Sequence, residues 1–161
     1  MVGRICLGMF AVLVVAAIVF PMFAVAKSGH GPSAACMKHL YRMMGALQVY
    51  DTDNGALPPA DRWMDAALPD PKDELVLHCP TFADHPSIYG YAVQSRLSGK
   101  SLQSLEDPTA EPLVFESVLL GRNAHTDKPI LPGFRRHGGQ FVAYASGEVQ
   151  ILRNPRPTHR H

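Results

Sequence analysis

Three sets of residues in this chain combine types and spacings that could do chemistry. The first is sulfur and imidazole: Cys36 and Cys79, with His39 and His78 beside them. Two thiolates and two imidazoles could complete a tetrahedral zinc site. Residues 74–78, however, read as a brief extended segment before Cys79-Pro80, and neighbouring side chains on a strand face opposite ways, so His78 and Cys79 are poorly placed to share one ion. In an exported chain a Cys36–Cys79 disulfide is therefore the favoured reading, with zinc as its alternative. The bridge would close a loop of about 44 residues, worth roughly 4 kcal/mol on the chain-entropy model. The second set is Glu116, His137 and Ser146, which supply the types needed for acid, base and nucleophile. Ser146 falls in a Ser146-Gly147 turn with no G-x-S-x-G elbow around it. No catalytic residue is expected, and Glu116 is expected either exposed or paired with Arg136 or His137. The third set is Asp51-Thr52-Asp53-Asn54-Gly55, whose Asp-x-Asp-x-Gly order opens like a calcium loop. The closing glutamate of such a loop is missing, since its place falls on Arg62, and a solvated helix end is expected instead. The eight histidines show no metal-ligand spacing, and no Gly-rich phosphate loop or internal repeat is present. No metal, cofactor or small-molecule substrate is expected.

The elements that must carry these residues can be read from periodicity. Cys36, Leu40, Met43, Leu47 and Tyr50 recur at spacings of four and three, the buried stripe of an amphipathic helix over about 34–50. Ser33 is its expected N-cap, and Lys38, Arg42 and Gln48 lie off the stripe. Met37, Met43 and Met44 read as core filler rather than a soft metal site. A short helix over 60–68, capped by Asp61, should turn Trp63, Ala67 and Leu68 inward, with Trp63 as the core anchor. Strand signals follow at 87–94 and 112–119, and then a hairpin: Gly138-Gly139 leads one alternating strand into the Ser146-Gly147 turn and back through residue 152. The expected class is α+β, with a helix packed on an antiparallel sheet of about four strands.

The bulk properties bound the rest. A net charge of +1 from 15 basic and 14 acidic residues gives no nucleic-acid-binding surface. Fourteen prolines and thirteen glycines in 161 residues argue against an all-helical bundle. Residues 5–26 contain no charge, and about 22 residues at 1.5 Å each would span roughly 33 Å, enough for a hydrocarbon core. With Arg4 before them, the remainder of the chain is expected outside the cytoplasm. Residues 1–26 are thus a transmembrane anchor or, because Ala24-Val25-Ala26 fits a signal-peptidase site, a cleaved signal. Residues 27–33 form a linker, 34–153 the globular domain and 154–161 a flexible basic tail.

Several of these stretches together resemble bacterial type IV pilin-like proteins and type II secretion pseudopilins. They are Phe20-Pro21-Met22-Phe23-Ala24, the Cys36-x-x-x-Leu40 helix running to Asn54-Gly55, Cys79-Pro80, and Arg136-His137-Gly138-Gly139 before the hairpin. The nearest likeness is to prepilin-like proteins with a C-terminal His/Asp-Gly motif. The resemblance implies a pilin-like fold and a non-enzymatic structural or assembly role at the cell envelope. The partners implied are the membrane, through the N-terminal helix, and other pilin-like subunits. The implied location is the inner membrane, single-pass, with an extracytoplasmic domain; secretion after cleavage at Ala26 is the alternative. The chain departs from the pattern in three places. It has no Gly-Phe processing junction, Arg4 stands where such proteins carry a glutamate, and Ser146 replaces the aspartate of the terminal turn. The first two departures imply an uncleaved anchor, and leave open a membrane-anchored or secreted binding module that keeps the fold without polymerising; the third means that an acid-dependent role of the turn does not carry over.

Overall fold

The domain is built on one long helix. In the computed structural model, which describes residues 31–69, 74–130, 136 and 138–153, helix α1 runs Pro32–Asn54. Proline suits the first helical position, where no amide hydrogen is needed, so the helix begins before Ser33 and that residue lies inside the first turn rather than capping it. Cys36, Leu40, Met43, Met44 and Leu47 are buried along one side. Tyr50, expected on the same stripe, is half-buried. The helix continues past it because Asp51, only 5% exposed, turns inward and accepts the Leu102 amide at 3.1 Å. It stops at Gly55, whose φ of 75° and amide bond to the Asp51 carbonyl at 2.7 Å form the left-handed cap that glycine favours. Asp51 is thus engaged with the backbone of a neighbouring loop.

After α1 come a 3-10 turn at Ala60–Arg62, α2 at Trp63–Ala67 and α3 at Glu74–Leu77. The Asp61 cap expected from sequence is not made. Asn123 supplies it from a distant loop, accepting the Met64 amide at 2.8 Å. Trp63 is fully buried and donates its indole N–H to the Ala124 carbonyl at 3.0 Å, the anchor its composition suggested. Residues 74–77, expected extended, form a helical turn instead. Its geometry brings His78 within 3.1 Å of Glu74, four residues earlier, and sends Val76 and Leu77 into the core. Short apolar runs of this kind carry no period by which strand and helix can be told apart.

Strands β1 (Tyr91–Gln94), β2 (Pro112–Glu116), β3 (His125–Thr126), β4 (Gln140–Tyr144) and β5 (Val149–Leu152) form one sheet in the order β3-β1-β2-β4-β5. The class is α+β, as expected, but the sheet has five strands rather than four and is mixed. β1 pairs antiparallel with β2 and parallel with the two-residue edge strand β3. So short a strand leaves no run of residues from which to read it. β1 begins later than expected because Gly90, at φ +81°, breaks the extended run. The β4–β5 hairpin forms as expected, with Gln140 opposite Leu152 and Ala143 opposite Val149. Its turn closes through the Gly147 amide and the Tyr144 carbonyl at 2.8 Å. Gly139 is required by contact, since a Cβ there would lie 2.6 Å from the Leu152 carbonyl oxygen.

Alternation along the strands divides the core. Tyr91, Val93, Phe141 and Ala143 pack with α1 and Trp63 in the main cluster. Ala92, Phe115, Val142 and Tyr144 form a smaller cluster of their own. A register irregularity between Pro112 and Val114 lets Leu113 and Val114 both join the helix-side cluster. The compact unit begins at Pro32. Among the described residues no helix is long and apolar enough to cross a membrane; the expected anchor over 1–26, most of the linker, the tail and His137 lie outside them.

Candidate functional site: a buried thiol–carboxylate cluster

The first turns of α1, the end of α3 and the sheet converge on one cluster of reactive side chains. Cys36 comes from the buried stripe of α1. Cys79 follows α3, held by its amide to the Tyr89 carbonyl at 2.8 Å. Glu116 ends β2, directly opposite Tyr91 at the start of β1. All four residues have no exposed surface. The sulfurs of Cys36 and Cys79 lie 3.1 Å apart, inside ordinary sulfur–sulfur contact but beyond the roughly 2.05 Å of a disulfide, and both residues are thiols here. The two cysteines paired from sequence thus lie side by side, at the distance of a contact and not of a bond.

Glu116 gives this pair a direction. Its Oε1 faces the Cys79 sulfur in a long contact of 4.0 Å, and Oε2 accepts the Phe141 amide at 3.0 Å. The Cys79 thiol donates towards the carboxylate, and across the Cys36–Cys79 contact either sulfur can be the donor. Burial alone would disfavour a charged carboxylate. Against it, Arg136 places a guanidinium nitrogen 4.0 Å from Oε1, one of the two partners expected for this glutamate. Arg136 is held by the Gly90 carbonyl at 3.0 Å and the Ser117 carbonyl at 2.8 Å, and lies over the Phe82 ring at 4.6 Å. The Cys79 contact and burial push the Cys36 thiol well above the usual cysteine range. Burial likewise raises the Tyr91 hydroxyl. That hydroxyl has the Cys36 thiol as a neighbour, and by distance and angle it is the one buried side-chain polar atom left without a hydrogen bond among the described residues.

The zinc set weighed from sequence does not assemble. His39 donates from Nδ1 to the His78 carbonyl at 3.1 Å, and burial holds its ring below the usual histidine range. His78 spends Nδ1 on the Ile88 carbonyl at 2.9 Å and Nε2 on Glu74, while its ring stacks on Tyr89 at 4.2 Å. Among the described residues, the donor atoms that come within 4.8 Å of one another are those of Cys36, Cys79 and Glu116. Beside them opens a cavity of about 430 Å³ whose lining includes His39, Glu74, His78, Cys79, Phe82 and His85. Arg122 braces its rim, bonding Asp65 at 2.7 Å and Glu74 at 2.9 Å.

Glu116 and Ser146 do not form the hydrolytic set considered above. Tyr144, two residues before Ser146, pairs with Pro112 at the opposite end of β2. Four strand residues therefore separate that end from Glu116, roughly 13 Å at 3.3 Å per residue. Ser146 is exposed and its amide is bound to the Pro108 carbonyl at 3.0 Å. Gly138 is exposed and Gly139 buried at the entrance to β4, so these glycines serve the chain path into the hairpin. Tyr91 was missed by sequence reasoning, although it lies inside the strand signal at 87–94, where it opens β1. Compared with protein-family models, curated proteins and solved structures, the chain matches none.

Proposed function

We propose that this protein is a pilin-like envelope subunit: an uncleaved N-terminal anchor displaying an extracytoplasmic α+β domain, with a structural or assembly role and no catalysis of its own. The observation that carries this reading is α1. A 23-residue helix stands at the head of the domain, in sequence after a charge-free stretch of membrane length and a short linker, and packs its buried stripe on β2, β4 and β5. The test is mass analysis and fractionation of the native protein. A chain beginning at Met1 in the membrane fraction, co-purifying with pilus or type II secretion components, supports the proposal. A soluble chain beginning at Lys27, or a cytosolic one, refutes it.

One observation favours a second reading, an anchored binding module that does not polymerise. The cavity of about 430 Å³ beside Cys79 falls within the size range of ligand sites, and Arg4 opposes the charge that pilin assembly uses. Isolation of a membrane-bound monomer with no filament partners would decide for this version.

A further inference from the structure

We infer that Cys79 is an oxidative modification site: it meets an external disulfide first, Glu116 takes its proton, and Cys36 then closes an internal cross-link between α1 and the segment leading into the sheet. Two independent asymmetries carry this order. Cys79 belongs to the wall of the open cavity, and Cys36 is not among the lining residues. The Cys79 thiol also donates towards the Glu116 carboxylate, and the Cys36 sulfur abuts Cys79 from the buried side of α1.

The chemistry balances with one co-reactant, a disulfide R–S–S–R. The Cys79 proton passes to Glu116, and the thiolate attacks one sulfur of the reagent. A Cys79–S–R bond forms, the S–S bond of the reagent breaks, and the leaving R–S⁻ takes the proton from Glu116 and departs as R–SH, which restores the carboxylate. Cys36, 3.1 Å away, then gives up its proton towards Glu116 and attacks the Cys79 sulfur, and the second R–S⁻ leaves as R–SH with that proton. Two thiols are oxidised to one disulfide, and one disulfide is reduced to two thiols. Closure needs the sulfurs to approach by about 1 Å.

Cys79 has no exposed surface in the closed domain, so access depends on local opening of the turn that covers it. That turn, Pro80–Phe82 and the exposed residues 83–87, is tied by short-range backbone bonds such as the His85 amide to the Phe82 carbonyl at 2.8 Å. Segments with few buried contacts open well before the core does. The proposed extracytoplasmic placement matters only for the supply of oxidant in the cell.

The test uses the full chain in a Cys6→Ala background, oxidised glutathione as probe, and mass spectrometry as readout, with thermal melting to verify that each variant is folded. In Cys36→Ala, Cys79 should accept one glutathione and keep it, since no resolving thiol remains. In Cys79→Ala, addition at Cys36 should be at least about tenfold slower, and Glu116→Gln in the Cys36→Ala background should slow addition to Cys79 by a similar factor, as expected for loss of a general base. The parent chain should lose two hydrogens and retain no glutathione. The inference is overturned if Cys36 reacts as fast as Cys79, if Glu116→Gln leaves the rate unchanged in a folded variant, or if the parent keeps both thiols with a bound divalent metal. A cytosolic location would refute the envelope reading and leave these rates untouched.

Discussion

Removing Arg136 tests whether the buried carboxylate at the centre of the cluster depends on the guanidinium beside it. Glu116 has no exposed surface, and the Arg136 side chain is 9% exposed. At their separation of 4.0 Å, an effective dielectric of 20 gives about 4 kcal/mol of attraction. Breaking a buried pair by deleting one member typically costs about 3–5 kcal/mol, because the other charge is left uncompensated. Arg136→Leu should therefore destabilise the domain by about 4 kcal/mol, a large part of the roughly 5–15 available to a domain of this size. Glu116→Gln removes the charge and keeps an oxygen for the Phe141 amide. In that background the same Arg136→Leu change should cost at least about 2 kcal/mol less, since the bonds to the Gly90 and Ser117 carbonyls and the Phe82 contact are lost in either background while the attraction to a charged partner is not. The assay is urea unfolding followed by the fluorescence of Trp63, the sole tryptophan. With a slope of about 1.5 kcal/mol per molar, a 4 kcal/mol loss moves the midpoint down by about 2.7 M. A coupling energy below about 1 kcal/mol would refute the idea that Arg136 and Glu116 act as a pair in the core.

Three further outcomes follow from the same geometry. Trp63→Ala should cost about 3–5 kcal/mol by cavity formation and loss of the bond to Ala124, read by circular dichroism because the fluorescent reporter is gone. Gly90→Ala should destabilise by at least about 1 kcal/mol, since φ is +81° and the new Cβ would meet Arg136 Nη1 at 3.0 Å and Cys79 Cβ at 3.1 Å; thermal melting checks it. Stability should also fall on acidification. The Asp65 carboxyl is held below its usual range by the Asn123 amide and by Arg122; for Glu74, burial works the other way but Arg122, Tyr89 and His78 outweigh it. Carboxylates depressed in the folded state stabilise it above their unfolded pKa and lose that contribution as pH falls through the lowered value. Arg122→Ala should flatten that part of the stability–pH profile, by a modest amount because both carboxylates are partly exposed.

What could be read before folding, and what could not, follows from the range of the interactions. The α1 stripe and the β4–β5 hairpin were legible because their signals are periodic and local: Cys36, Leu40, Met43 and Leu47 lie on one helical face, and Ser146-Gly147 interrupts one alternating run. The edge strand β3 and the Asn123 cap on α2 were not, since each is defined by a partner about thirty to sixty positions away. The candidate site divides the same way. Residue type alone named Cys36, Cys79 and Glu116, and Arg136 was one of two partners foreseen for the carboxylate. The direction of the cluster was hidden, because it depends on β1 and β2 meeting in a register that sets Tyr91 opposite Glu116 and on Gly90 leaving room for Arg136 beside Cys79. A one-residue slip in that register would turn Glu116 to the other face of the sheet. The two thiols would then remain neighbours on α1 and the α3 exit, with no carboxylate in front of them. The reactivity assigned to Cys79 is therefore a property of strand pairing as much as of cysteine chemistry, and the slowing expected in Glu116→Gln measures that contribution directly.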